Sequence, residues 1–441
     1  MTTLLTNAWL LTLDDAMTQH ETGWMHIEDD VIMALGSGTP PVLPGAEIMD
    51  CTGDIVMPGM VNTHCHMGMS VFRGLGEDVD DRLYRYILPL ERKFVTADMV
   101  RAGSALSAIE MIQGGVTTVA DMYYFETEVG RVVAQAGLRG IVGQTLADFD
   151  PPDHKDFDEG FARVDELVAE CAGHRLVTAS IAPHAPYSTG LKVMERVADW
   201  SQAHPDIPVQ MHLAESTLEV QWAMDKHGKS TVAVTRDAGL LKPNLICAHC
   251  LQLDDADFAM MSEHQVCVAT NPRSNGKAGR GIAPVEKMRN AGLPVGIGSD
   301  GAMSGNSLDL FSQLAPVSMF AKLLGGSRKP LPASDVIRMA TIEGARALNL
   351  NLTTGSLEAG KQADLIRISL DAARLHPIYD PYSMLVFATM PTDVTHTMVA
   401  GRWLMKDRVV QTLEPKKVLR DALQIAHTFK AEMALIDKAG P

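Results

Sequence analysis

Hydrophobic and polar residues alternate at both ends of the chain and run together through its middle. The first sixty residues contain LLTNAWLLTL, GWMHIEDDVIMALG and AEIMDCTGDIVMPG, period-two stretches punctuated by Gly, Asp and Pro. Such alternation predicts half-buried strands. The same texture returns near the C-terminus in ADLIRISL and THTMVAGRWLMKDRVV. Between these ends lie eight nearly continuous apolar runs: GMVNTHCH, TTVADMYY, RGIVGQTL, LVTASIAPH, PVQMHLAE, LICAHC, QVCVATNP and LPVGIGSD. Parallel strands covered on both faces need such runs. Stretches of helical period separate them, among them ADMVRAGSALSAIEMIQGG and APVEKMRNAG. Eight strand-then-helix units predict an α/β fold: a (β/α)8 TIM-type barrel, with a small β-sandwich domain formed from both termini. The expected boundaries are 1–57 and 362–412 for the β-domain, 58–361 for the barrel and 413–441 for a C-terminal helix. A proline near the start of PKKVLRDALQIAHTFKAEMALIDKAG fits the first turn of that helix.

Composition narrows the class of partner. The chain has 441 residues, 46% hydrophobic and 21% charged, which is ordinary for a globular protein and ample for a sizeable core. A net charge of −16 argues against nucleic acid or an anionic membrane as the main partner. No apolar run is long enough to span a bilayer, and the opening MTTLLTNAWLLTLDD lacks the basic start of a secretory signal. The six cysteines are sparse and lie mostly in apolar runs, so reduced thiols and a cytoplasmic location are expected.

Candidate chemistry collects at the ends of the predicted strands. His64 and His66 close the first run, His212 the fifth, His249 the sixth and Asp300 the eighth. Residues two apart on a strand share a face, so one ion can take both imidazoles of VNTHCH. A lone strand-end histidine or a lone Asp in SDG is usually structural. Coincidence at four strand ends, where barrel enzymes place their chemistry, favours a bound divalent ion. Imidazole and carboxylate ligands suit Zn²⁺ first, with Fe²⁺ as the alternative. Such an ion activates water, and Glu215, three residues after His212, is placed to move the proton. Cys65, Cys247 and Cys250 are read as packing, since on a strand they face away from the histidines.

These residues resemble the amidohydrolase superfamily, in particular its 5′-methylthioadenosine/S-adenosylhomocysteine deaminase and triazine hydrolase branch. The resemblance covers nearly the whole chain through MPGMVNTHCHMGMSVFRGLGED, ILPLE, GGVTTVADMY, APHAPYS, HLAES, AHC, NPRSNGKAGRGIAPV and GIGSDGAMSGNSLDLF. It implies that His64, His66, His212 and Asp300 ligate one metal. His249 then hydrogen-bonds the attacking water, or is itself a ligand. Glu215 becomes the proton shuttle that also touches the heterocycle, and Asp300 helps deprotonate the water. His184 in APHAPYS and Glu91 in ILPLE become substrate contacts, Glu91 through ribose hydroxyls. On sequence alone Glu91 reads as a surface helix charge.

The implied activity is hydrolytic deamination of a cyclic amidine by metal-activated water, on a small molecule such as 5′-methylthioadenosine or adenosine. Purine bases, pterins, aminotriazines, or a triazine-type hydrolase with another leaving group are the alternatives, and a non-catalytic scaffold is the contrasting class. Relatives in this branch are often dimers or tetramers, so a homo-oligomer is expected. Two departures bear on substrate. Gln144 stands where nucleoside deaminases often carry an arginine, and the following loop DFDPPDHKDFDEG is acidic, with His154 and Lys155 as its nearest candidate replacements. That weighs against a substrate with an amino-acid carboxylate. Thr270 replaces a histidine common in relatives. Phe72, Trp222 and Asn306 are further candidates for shaping the mouth.

Overall fold

Each of the eight apolar runs forms a strand, and the eight close on one another. A computed structural model describes residues 2–79 and 81–439. The barrel strands are Met60–Cys65, Val116–Tyr123, Arg139–Leu146, Val177–Pro183, Val209–Leu213, Leu245–His249, Cys267–Thr270 and Val295–Ile297, referred to below as first to eighth. All neighbouring pairs are parallel, and the eighth returns to the first through Ile297 beside Asn62. Strand residues split by parity. Val119, Val142, Cys247 and Val268 face the helical layer, while Val61, Ala120, Ile141, Ile246 and Ala269 form a separate inner cluster with Leu348. The Cys247 and Cys65 thiols are buried on the outer side with the core, as the packing reading expects.

Helices follow the strands, and side-chain caps set several starts. Thr96, Asp156, Ser216 and Ser230 each accept a backbone N–H of the first turn, and Asp254 and Asp257 form a reciprocal capping box. Each cap satisfies an amide that the helix itself leaves free. An insertion separates the first strand from its helix Ala97–Gln113. It comprises a short 3₁₀ turn, Met67–Phe72, and a helical stretch from Leu83 to Phe94. Gly103 brings the helix against that turn, and a Cβ there would collide with the Gly68 carbonyl oxygen. Ser107 Oγ donates to the Met67 carbonyl at 2.6 Å across the same contact.

Both termini build one continuous nine-stranded sheet. Thr2–Leu11 is an interior strand of it, parallel to Glu47–Asp50 over one half and to Asp54–Pro58 over the other. Leu365–Ser369 then joins Asp54–Pro58 in antiparallel register and carries the last three strands. This sheet wraps its own core, with Leu5, Leu10, Met25, Ile27, Leu365 and Met398 fully buried. A buried ion pair fastens it to the barrel: Arg139 Nε lies 3.0 Å from Asp364 Oδ2. The last helix, Pro415–Ala439, leaves the sheet and lies against the insertion. Phe429 meets Phe72 with ring centroids 4.7 Å apart, Tyr86 donates to Asp437 at 2.6 Å, and Lys93 pairs with Glu432 at 2.6 Å.

Candidate active site

The barrel brings His64, His66, His212, His249 and Asp300 to one mouth. His66 Nε2 lies 3.4 Å from His212 Nε2 and 3.3 Å from Asp300 Oδ1, and His64 Nε2 lies 3.9 Å from the same oxygen. The orientation of each ring is set from behind. His66 Nδ1 donates to the Met122 carbonyl at 2.5 Å and His212 Nδ1 to the His184 carbonyl at 2.8 Å. A carbonyl only accepts, so the proton sits on Nδ1 and each Nε2 is directed at the centre. His64 Nε2 is buried there without a hydrogen-bond partner. Three imidazole nitrogens and a carboxylate oxygen facing one point repel one another unless a cation joins them. The donor set fits a divalent ion, and two overlapping triads, His64–His66–His212 and His64–His249–Asp300, have ligand atoms within 4.8 Å of one another.

Local backbone makes the convergence possible. Asn62 and Ser299 exchange side-chain and backbone hydrogen bonds at 2.7 and 3.0 Å, which locks the eighth strand to the first. Gly298 passes so close that a Cβ would meet Asn271 Oδ1 and the His64 backbone. Asp300 Oδ2 accepts from Ser274 Oγ at 2.5 Å, and Oδ1 accepts from the Gly301 amide at 2.6 Å. Ala214, His249 and Asp300 all have φ between 52° and 72°, a left-handed conformation rare outside glycine. Such strain collects where a site over-determines the chain.

Electrostatics follow burial and neighbours. Burial pushes the Asp300 carboxyl up, but the hydrogen bond and charge of His66, with His249 and His64, hold it well below its ordinary value. Burial and neighbouring imidazoles keep His64 and His212 neutral far into acid. His66 is also penalised by burial, yet Asp300 raises its pKa overall. Burial brings His184 down to about 3, helped by His66 and His249. The His184 ring sits 4.7 Å from that of His212, with Nδ1 2.8 Å from Ser188 Oγ.

A cavity of about 370 Å³ opens above this centre. His184, Glu215, His249 and Asp300 line its floor and Glu91 its wall. Glu215 Oε1 faces His249 Nε2 at 3.4 Å, while His249 Nδ1 donates to Asn275 Oδ1 at 2.8 Å. Glu91 is buried, not a surface charge. Tyr123 donates to its Oε1 at 2.6 Å, and burial pushes its pKa to about 7 against that hydrogen bond.

Several sequence expectations need correction. Phe72 does not reach the mouth: it is fully buried against Phe429. Trp222 packs on its own helix beside His227, and Asn306 ends a short helix and accepts from Lys277 Nζ at 3.1 Å; neither lines the cavity. Gln144 donates to the buried Asp153 at 2.9 Å, and His154 Nδ1 lies 2.7 Å from the other Asp153 oxygen. Lys155 is exposed and pairs with Glu159. These three residues therefore stand behind the wall or outside it. Thr270 is buried away from the main cavity.

Sequence reading also missed Glu219 and Arg280. The Glu219 carboxylate accepts from the Ala214 and Glu215 amides at 2.8 and 2.9 Å and fixes the backbone that presents Glu215. Its signal was the Ser-x-x-Glu spacing of Ser216 to Glu219, a helix-start signature. Arg280 lines the cavity and pairs with Glu215 Oε1.

An eight-stranded parallel barrel with histidines and a carboxylate gathered at its C-terminal mouth defines a metal-dependent hydrolase. The amidohydrolase family profile matches residues 55–404, and the chain belongs to that family. It is 36% identical to the 5-methylthioadenosine/S-adenosylhomocysteine deaminase of Syntrophobacter fumaroxidans, over 97% of this chain and 98% of the relative. It is 33% identical to the 5′-deoxyadenosine deaminase of Methanosarcina acetivorans, over 97% and 98%. The crystal structure of an adenosine deaminase from Xanthomonas campestris with bound zinc superposes with a TM-score of 0.92 at 30% identity, over 97% of this chain and 98% of that one. Among the described residues no helix is long and apolar enough to cross a membrane.

Proposed function

We propose that this protein hydrolytically deaminates an aminated heterocycle, with an adenine nucleoside such as 5′-methylthioadenosine or adenosine as substrate. The observation that carries the reading is the meeting of the buried His64 with His66, His212 and Asp300, the last three lining a cavity that also holds Glu215, His249 and Glu91. The names of the full-length relatives point to the same chemistry. His64, His66, His212 and Asp300 are the proposed ligands, and zinc is the proposed ion, as in the Xanthomonas campestris structure. When bound, the ion supplies Lewis acidity, which can lower the pKa of water from 15.7 to about 7.

The protein's own groups do the rest. Asp300, held ionised, takes one proton of the attacking water and Glu215 the other. Glu215 delivers it to the ring nitrogen beside the amino-bearing carbon. His249 hydrogen-bonds the attacking oxygen and His184 touches the ring. Glu91 accepts from sugar hydroxyls. The exocyclic nitrogen takes the water's other proton by way of Asp300, its C–N bond breaks and ammonia leaves, with an oxo group in its place. A homo-oligomer in the cytoplasm is the proposed setting. Ammonia release from a panel of aminated purines, pterins and triazines tests the reading, with Glu215→Gln beside wild type. Equal activity of the two would remove Glu215 from the mechanism.

A further inference from the structure

A second group of buried titratable side chains lies behind the histidine cluster, on the outer side of the barrel wall. Asp121, in the second strand, stands opposite Cys65 in the first. Its Oδ1 accepts from the Met67 amide at 2.5 Å and lies 3.4 Å from Cys65 Sγ. The next carbonyl along, that of Met122, accepts from His66 Nδ1 at 2.5 Å. The end of the second strand thus holds Cys65, His66 and Met67 one after another, and with them the direction of the His66 ring.

Asp121 has a further neighbour, Glu126, the first residue of the helix Glu126–Ala136. Glutamate is almost never fully buried unless it is paired. Here the turn drives it inward: Phe125 is left-handed at φ 53°, and its amide donates to Asp153 Oδ2 at 2.7 Å. Asp121 and Glu126 are both fully buried and are hydrogen-bond partners of one another. No other side-chain donor among the described residues reaches Asp121 Oδ2 or either oxygen of Glu126. Two buried carboxyls so placed cannot both ionise. Their surroundings decide which one keeps the proton. Asp121 has the Met67 amide and the Cys65 thiol to support its charge. Glu126 instead feels a third carboxyl, Asp153, whose own oxygens are already occupied by Phe125, Gln144 and His154. Burial and the charge of Asp121 lift Glu126 well above its ordinary value, against a smaller pull from the Tyr123 backbone.

We propose that Glu126 is a positioning residue for the metal centre. Held as a neutral acid, it donates to the Asp121 carboxylate, and Asp121 in turn holds the His66 segment through Cys65 and Met67. The inference rests on His66 serving as a ligand and is independent of which heterocycle is deaminated. Without that donor, the buried Asp121 oxygen is left unpaired, or Asp121 takes up the proton itself and loosens its hold on Met67. Groups that orient a ligating histidine are worth about 10- to 100-fold in metal affinity.

Glu126→Gln and Glu126→Leu separate the hydrogen bond from the space it occupies. Glutamine keeps a donor for Asp121; leucine fills the volume and offers none. Infrared difference spectra of metal-free protein above neutral pH read the protonated carboxyl, and competition with a chromophoric chelator reads zinc affinity. The expected result is a protonated-carboxyl C=O band present in wild type and missing from Glu126→Gln. Zinc affinity should stay within a few-fold of wild type in Glu126→Gln and fall by about tenfold or more in Glu126→Leu. The inference is overturned by a band that Glu126→Gln leaves unchanged, by a loss of about tenfold in Glu126→Gln, or by zinc held as tightly in Glu126→Leu as in wild type. The band and the Glu126→Gln affinity decide the matter even where the leucine variant does not fold. Wild type that takes up no zinc refutes the ligand reading instead, and the band still shows whether Glu126 is the acid.

Discussion

Replacing Glu91 with glutamine changes the pH dependence of stability in a direction the structure fixes. The carboxyl is buried, and its pKa stands at about 7 against an ordinary 4.5. Glutamine keeps an acceptor for the Tyr123 hydroxyl, so the variant removes the titration and little else. Below pH 4.5 both folded and unfolded wild-type chains hold the proton, and Glu91 adds no pH dependence. Between 4.5 and about 7 the unfolded chain releases it while the folded chain keeps it, so stability falls as pH rises. Above about 7 both are ionised, and the full difference of about 3 kcal/mol persists. Wild type and Glu91→Gln should therefore be nearly equal near pH 4.5 and separate by about 3 kcal/mol in favour of the variant at pH 8. Urea unfolding at matched pH, on chelator-stripped protein, measures the gap. Zinc at the histidine cluster favours the ionised carboxylate, so the gap should narrow in loaded protein. A difference that does not vary with pH, or that grows toward acid, would refute the buried titration.

Other outcomes follow from the same site. Glu215→Gln should lower kcat by about 10² to 10⁴-fold while nucleoside binding by calorimetry stays within a few-fold, because the proton path is cut and the cavity is not. Dialysis against a chelator should abolish ammonia release and zinc should restore it; His212→Ala should hold far less zinc per chain by atomic absorption and not recover. Gly103→Ala forces the helix away from the Gly68 carbonyl and should cost about 1–3 kcal/mol in denaturant unfolding, with weakened zinc retention because the displaced turn follows His66. Zinc retention equal to wild type would uncouple that contact from the site.

How much was legible in the sequence depends on how local each determinant is. The eight strands were readable because a strand buried on both faces needs an unbroken apolar run, and a closed parallel barrel brings strand ends together whatever the loops do. Placing His64, His66, His212, His249 and Asp300 at strand ends was therefore enough to predict that they meet. Glu91 lay beyond that reasoning. Its burial depends on the insertion folding back against Tyr123, which no period in the chain announces. Phe72 was misplaced for the same reason, since its partner Phe429 belongs to a helix hundreds of residues away. Arg280 sat inside a quoted motif, but the direction of its side chain depends on a glycine-flanked loop. Gln144 and His154 were legible as identities and not as an interior network around Asp153.

The grip of the last helix on Phe72, Tyr86 and Lys93 has a consequence for biosynthesis. On a translating ribosome, a nascent chain that has just exposed Asp300 already carries every proposed ligand. Its pocket wall lacks the brace of Phe429, Glu432 and Asp437 until those residues emerge. Completion of that wall is thereby postponed until those residues emerge, and metal captured earlier would sit in a half-built mouth.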